Sequence, residues 1–358
     1  MFEFVYQFQG YCQIKTAVYS TAQKHGLLDA HGHTVVSDNT TASSSNKHSN
    51  LAENLQLLQN NTDAWDIEAV YSYLYRFIEL GFQPPNDDNN DDQKKKKPVK
   101  PVDIYFSLFA SIALSRLECL LGDYTASLKA LDTVHANADV IIAKEETEST
   151  VADVLYAVVA ARVSLAYHAG IAYLQLRRYQ DAAAILLECA TSLQQGFKTG
   201  AVRHDQFNKQ YERFLALLAI LQQILPGIVS NNNNNHNNNN SGGDESVWRA
   251  VREKHGHKME TASSSSSSLE EWFQSPKFIA ADPTVGANYH RQQIDMFNQA
   301  MQPVTASRNL RSYLKLYTSL PVQKLANFHD VSVADFLPTL LCYKARLYQK
   351  ERSSDGDS

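Results

Sequence analysis

The sequence predicts an all-α protein: an irregular, tetratricopeptide-like helical repeat (a right-handed solenoid) followed by a partial winged helix, of which only the helical half is present. Three observations predict it. Apolar residues recur at spacings of three and four through nearly every segment that is not low in complexity. The blocks GDYTASLKAL at 122–131 and RRYQDAAAIL at 177–186 place Tyr124 and Tyr179 at the same point of a turn, each followed three residues later by Ser127 or Ala182. A tyrosine wedged at a helix turn, with small residues admitting the next helix, is how stacked helix pairs pack. Finally, RSYLKLYTSLPVQKLA at 311–326 puts a helix, a stop at Leu320-Pro321 and a second helix in quick succession, with a third beginning near Ser332.

Taken in order, residues 1–36 form an N-terminal helical segment and 37–50 a polar insert. The helical repeat runs over 51–229, interrupted at 83–101 by QPPNDDNNDDQKKKKPVKP. Thr62 or Asp63 can cap a helix carrying Trp65, Ile67, Val70, Leu74 and Phe77, which Gly81 ends. Further helices follow at 103–121, closed by Gly122-Asp123, at 124–134, at 151–176, from Tyr179 to Leu193, and at 208–225, ended by Pro226-Gly227. An Asn-rich insert occupies 230–243. The helical connector at 244–307 contains a Ser-rich insert at 261–268; its first helix stops at Gly256, and extended chain around Pro276 and Pro283 leads to a helix at 291–301. The partial winged helix covers 308–352 and a polar tail 353–358. Its third helix starts at Asp335, because an earlier start would put Pro338 in the helix interior at a cost of about 3 kcal/mol. Val333, Phe336, Leu337, Leu340, Leu341 and Leu347 form its core stripe.

Composition narrows the function classes. The 358 residues are 44% hydrophobic with a net charge of −5, so no chain-wide basic excess points to nucleic acid or an anionic membrane. Cys12, Cys119, Cys189 and Cys342 are widely spaced and form no paired motif, which reads as reduced packing residues of a protein of the cytosol or nucleus. LYAVVAARVSLAYHAGIAYL at 155–174 is long enough to span a bilayer, but it carries Arg162 and His168, and its alanines fit close helix packing better; no membrane partner is expected.

No phosphate-binding, metalloprotease or nucleophile-elbow motif is present, so no catalytic, cofactor-binding or metal residue is predicted and the chain reads as a non-enzyme. His31-Gly-His33 and His255-Gly-His257 could share a metal only if each pair were held on a strand, which neither context supports. Lys344, Arg346, Lys350 and Arg352 add positive charge near the end of the third terminal helix. In a nucleic-acid winged helix such residues contact phosphate; otherwise they form a solvated face that complements the helix dipole. They are the candidate RNA or partner contacts.

The 311–328 block resembles the entry into the winged helix of the L-subunit family of eukaryotic translation initiation factor 3. FVYQFQGYCQ at 4–13, LLGDYTASLKAL at 120–131, AYLQLRRYQDAA at 172–183, VREKHGHKM at 251–259, SPKFI at 275–279 and NYH at 288–290 resemble the same family in the same order. The resemblance implies a non-catalytic scaffold subunit of that multi-subunit factor, supporting assembly of cytoplasmic preinitiation complexes on the small ribosomal subunit. It also implies pairing with other PCI subunits such as subunit K, and it brings no catalytic residues. Members of the family carry more helical chain before the point matching Phe4, and wing strands with a C-terminal helix after the point matching Lys350, so the expectation is an incomplete or divergent copy. The alternatives are a PCI scaffold of the proteasome lid or signalosome, and an RNA-binding helical repeat protein.

Overall fold

The computed structural model describes residues 2–29, 32, 34, 46–81, 101–136, 138, 141–143, 148–224, 241–261, 272–306, 310, 313, 314 and 316–346. These are almost entirely helical. They divide into two compact units, Met1–Leu176 with Ser275–Gln293, and Arg177–Gln274 with Ile294–Ser358.

The first unit is organised around α4 (Pro101–Leu121), which packs against α1 (Phe2–Lys24), α3 (Ile67–Gly81), α5 (Tyr124–Lys129) and α8 (Val159–Gln175). α4 is the one described helix long and apolar enough to cross a membrane by length and composition, and most of it is buried inside the protein. Apolar residues on several sides explain this burial: Leu108, Ile112, Leu117 and Leu120 are all enclosed. Its buried hydroxyls are paired, Ser107 donating to the Ile78 carbonyl at 2.7 Å and Ser115 meeting Ser127 at 3.1 Å. On α8, Ala161, Ala166, Ala169, Gly170 and Ala172 are buried, so the alanine-rich run is a close-packing surface.

Several local expectations are corrected here. Trp65 lies outside α3 with φ 56°, and Asp66, not Thr62 or Asp63, caps the helix by accepting from the Ala69 amide at 3.1 Å. α2 spans Asn46–Asn60 and so begins inside the expected polar insert. The expected helix at 124–134 is two short ones, α5 and α6 (Asp132–Ala136), because the Leu131 amide bonds back only three residues, to Leu128. A hairpin follows, pairing β1 (Ile141–Ala143) antiparallel with β2 (Glu148–Thr150); the β-branched Ile141-Ile142 pair suits it. α7 (Val151–Ala157) starts from a capping box of Thr150 and Asp153, and Val158 at φ −95°, ψ 83° separates it from α8.

The internal echo has a backbone counterpart. Gly122 and Arg177 both adopt left-handed conformations, with φ 85° and 63°. The residues after them, Asp123 and Arg178, share similar angles (φ −89°, ψ 87° and φ −87°, ψ 67°) and cap the helices that Tyr124 and Tyr179 begin.

In the second unit α9 (Tyr179–Thr199), α10 (His204–Ile224) and α11 (Ser241–Thr261) pack against one another. Gly200 in the left-handed region ends α9. Residues 214–221 of α10 are continuously buried, as are Val247, Trp248 and Val251 of α11. Thr191 donates to Asp244 at 3.0 Å and Lys254 pairs with Glu212 at 2.6 Å, fixing α11 to α9 and α10 respectively. α11 begins at Ser241, inside the expected Asn-rich insert, and runs through Gly256 instead of stopping there. A mid-helix glycine costs only about 1 kcal/mol relative to alanine, too little by itself to end a helix of 21 residues. α12 (Pro283–Ala306) starts well before residue 291: Pro283 takes the first helical position, where its missing amide costs nothing, and Asp282 accepts from the Thr284 amide at 2.8 Å. α13 (Val322–Phe328) and α14 (Val333–Arg346) form the terminal group.

Candidate interaction surface

α14 carries the described part of the predicted contact site. It begins at Val333 and not at Asp335. Ser332 is the cap, since its hydroxyl accepts from the Asp335 amide at 3.2 Å and donates to the Asp335 carboxylate at 2.6 Å. Pro338 therefore sits inside the helix, as the sequence argument sought to avoid. The Ser332 cap, the acidic first turn and the burial of Phe336 offset the lost backbone bond.

The core beneath is small: Leu310, Leu325, Ala326 and Phe336, flanked by Tyr313, Leu320, Val322, Val333, Leu340 and Tyr343. Aromatic rings hold it, with Tyr313 stacked on Phe328 at 5.0 Å and His329 on Phe336 at 5.2 Å. So small a core covers only one stripe of α14. Leu337 and Leu341, expected in that stripe, are instead 44% and 57% exposed. Leu314, Leu316, Tyr317, Phe328 and Val331 are exposed in the same terminal segment, Leu316 at 76%. The signal available in the sequence was the width of the apolar pattern, which occupies more of the helix circumference than one small core can cover.

Lys344 is exposed, one turn beyond Leu341 and on the same helix face. Arg346 closes α14, while Lys350 and Arg352 lie outside the described residues. The structure thus presents exposed leucines beside one lysine, an arrangement suited to burial against another protein surface.

His31 and His33 lie outside the described residues. His255 and His257 are on a helix, where residues two apart point to opposite sides. His255 is half-buried with its ring 6.2 Å from Trp272, and burial, then Lys258 and Lys254, lowers its pKa below the usual histidine value. Among the described residues no group of three His, Cys, Asp or Glu is placed to hold a metal.

Four of the sequence blocks converge in the first unit. The irregular segment at 275–281 lies across α1 and α4: Gln9 donates to the Lys277 carbonyl at 3.2 Å and the Ile279 amide to the Leu120 carbonyl at 3.0 Å. The Phe278 amide donates to His290 Nδ1 at 3.3 Å, which requires that nitrogen to be unprotonated; burial and Lys277 lower the His290 pKa in the same sense. Tyr289 donates to the Leu121 carbonyl, and Tyr124 to Gln293 at 2.7 Å. Burial pushes the Tyr124 phenol well above its usual range. FVYQFQGYCQ, LLGDY, SPKFI and NYH are thus parts of one clasp that closes over the Gly122 turn.

A family profile described as RNA polymerase I-associated factor PAF67 matches residues 1–358. A Danio rerio protein named eukaryotic translation initiation factor 3 subunit L is 27% identical over 367 residues, covering 96% of this chain and 54% of the relative. Its Homo sapiens namesake is also 27% identical, at 96% and 55%. A Mus musculus protein of that name is 32% identical over 257 residues, covering 68% of this chain and 40% of its own length. The chain spans about half the length of the curated relatives it matches.

Proposed function

The chain belongs to the PAF67 family, and from that premise we propose that it is a non-catalytic scaffold subunit of the eukaryotic translation initiation factor 3 complex. It acts in the cytoplasm and supports preinitiation complexes on the small ribosomal subunit. The observation that carries this reading is the similarity, along 96% of the chain, to relatives whose printed name is a subunit of that factor. The exposed leucines of α13–α14 and the segments flanking them support it physically, because a scaffold works by burying such surface against neighbours. PCI subunits, subunit K among them, are the partners for that surface. Affinity purification of the tagged chain with identification of co-purifying subunits tests the reading. Recovery of initiation-factor subunits supports it, whereas recovery of proteasome-lid or signalosome subunits overturns it.

The exposure of Lys344 favours a subsidiary role in RNA contact, shared with Arg346, Lys350 and Arg352. Neutralising all four weakens salt-sensitive binding to isolated RNA on this reading; unchanged affinity removes it.

A further inference from the structure

The first unit carries an aromatic face that neither the clasp nor the terminal helices use. Phe4 lies 5.3 Å from Trp65 and meets Tyr73 edge-on at 6.4 Å, while Phe8 supports Trp65 from the core at 6.3 Å. Phe4 and Trp65 are half-buried and pack against the core of the unit, while Tyr73 is 54% exposed. Four carboxylates belong to the same stretches of chain: Glu3 on α1, Asp63 and Asp66 in the turn before α3, and Glu68 in its first turn. Neither residues 2–14 nor residues 60–75 contain a lysine or arginine. The neighbouring cations are few. Arg76 is one turn beyond Tyr73, Lys15 lies over the Tyr11 ring, and Arg116 is buried on α4 with its guanidinium donating to Gln9 at 3.0 Å.

We propose that the Phe4–Trp65–Tyr73 face docks a basic protein segment, seating an arginine or lysine side chain against the rings. Ring faces attract a cation through their quadrupole, and exposed Glu3, Asp63 and Asp66, each within two residues of Phe4 or Trp65 in the chain, add a negative field that favours a cation over a polyanion such as RNA. Charge complementarity therefore selects a cationic peptide as the occupant.

Trp248 and Trp272 are buried, so Trp65 is the tryptophan that reports solvent-side binding by its emission. The test titrates the full chain with a fluorescent peptide alternating arginine and serine, and with a glutamate–serine counterpart. The expected result is saturable, salt-weakened binding of the arginine peptide alone, with Trp65 emission changing in step. Tyr73→Ala weakens that binding about tenfold, the factor expected for loss of one desolvated cation–π contact, and Glu68→Gln weakens it further at low salt. Both positions are exposed, and an unchanged circular dichroism spectrum verifies that each variant is folded. Equal affinity for the wild type and Tyr73→Ala, absence of arginine-peptide binding, or displacement of the peptide by poly-uridylate overturns the proposal.

Discussion

Replacing Gly122 by alanine tests the clasp most sharply. Gly122 has φ 85°, and a side chain in the left-handed region costs about 1–2 kcal/mol. The added Cβ also meets the Tyr289 hydroxyl and lies 3.1 Å from the Gln293 amide nitrogen, so both groups must move. Moving them breaks the Tyr289–Leu121 and Tyr124–Gln293 hydrogen bonds, each worth about 1 kcal/mol net. The sum is about 3–4 kcal/mol, spent locally on the junction of 118–124 with 275–293. Hydrogen exchange read peptide by peptide is the right assay, because local opening shows there before global unfolding. Protection falls in both peptides together by a factor of about several hundred, while α9–α11 are unaffected. Tyr289→Phe removes the hydroxyl that collides with the new methyl group. Gly122→Ala combined with Tyr289→Phe therefore costs less than the two single changes added together. A Gly122→Ala variant with unchanged protection at 275–293, or strict additivity in the double variant, refutes the reasoning.

Glu118 is 7% exposed and accepts a hydrogen bond from Tyr71 at 2.8 Å; burial raises its pKa above the ordinary 4.5, the Tyr71 bond opposing and Asp123 adding to the rise. Because the folded pKa is raised, its contribution to stability is full below the unfolded value and is lost as pH rises through the folded one, so Glu118→Gln removes that loss and makes the urea midpoint less dependent on pH above about 4.5. Pro338→Ala restores an interior helix bond and stabilises α14 by up to about 3 kcal/mol, while Ser332→Ala destabilises it by about 1 kcal/mol, both read by hydrogen exchange over 332–346. Leu337→Asp with Leu341→Asp leaves the helical spectrum intact, since both residues are exposed, and lowers recovery of partner subunits about tenfold in quantitative pull-downs.

Much of the fold was legible because long amphipathic segments state their own period. The repeated tyrosine marks the turns at Gly122 and Arg177 in the sequence, although nothing in an arginine signals the left-handed conformation of Arg177. Punctuation residues misled where two rules compete. Gly256 stands inside α11, and Pro283, expected in extended chain, takes the first position of a helix. At α14 the Pro338 penalty is legible in the sequence, whereas the Ser332 cap and the burial of Phe336 that offset it depend on the fold. The candidate surface was only half readable. Leu337 and Leu341, expected in the core stripe, are exposed, since periodicity marks an apolar face without saying whether a neighbour covers it. The Phe4–Trp65–Tyr73 face was missed for a related reason: its members are far apart in sequence, and only the docking of α1 on α3 and α4 brings them together.

The central claim is that this chain works by occupying a place in an assembly. Sucrose-gradient sedimentation of cell extract containing the tagged chain at native abundance tests it most directly. The account predicts that the chain travels with initiation-factor subunits and small ribosomal subunits, and that Leu337→Asp with Leu341→Asp shifts it to the top of the gradient. A wild-type chain sedimenting as a free monomer, while those complexes form without it, contradicts the account.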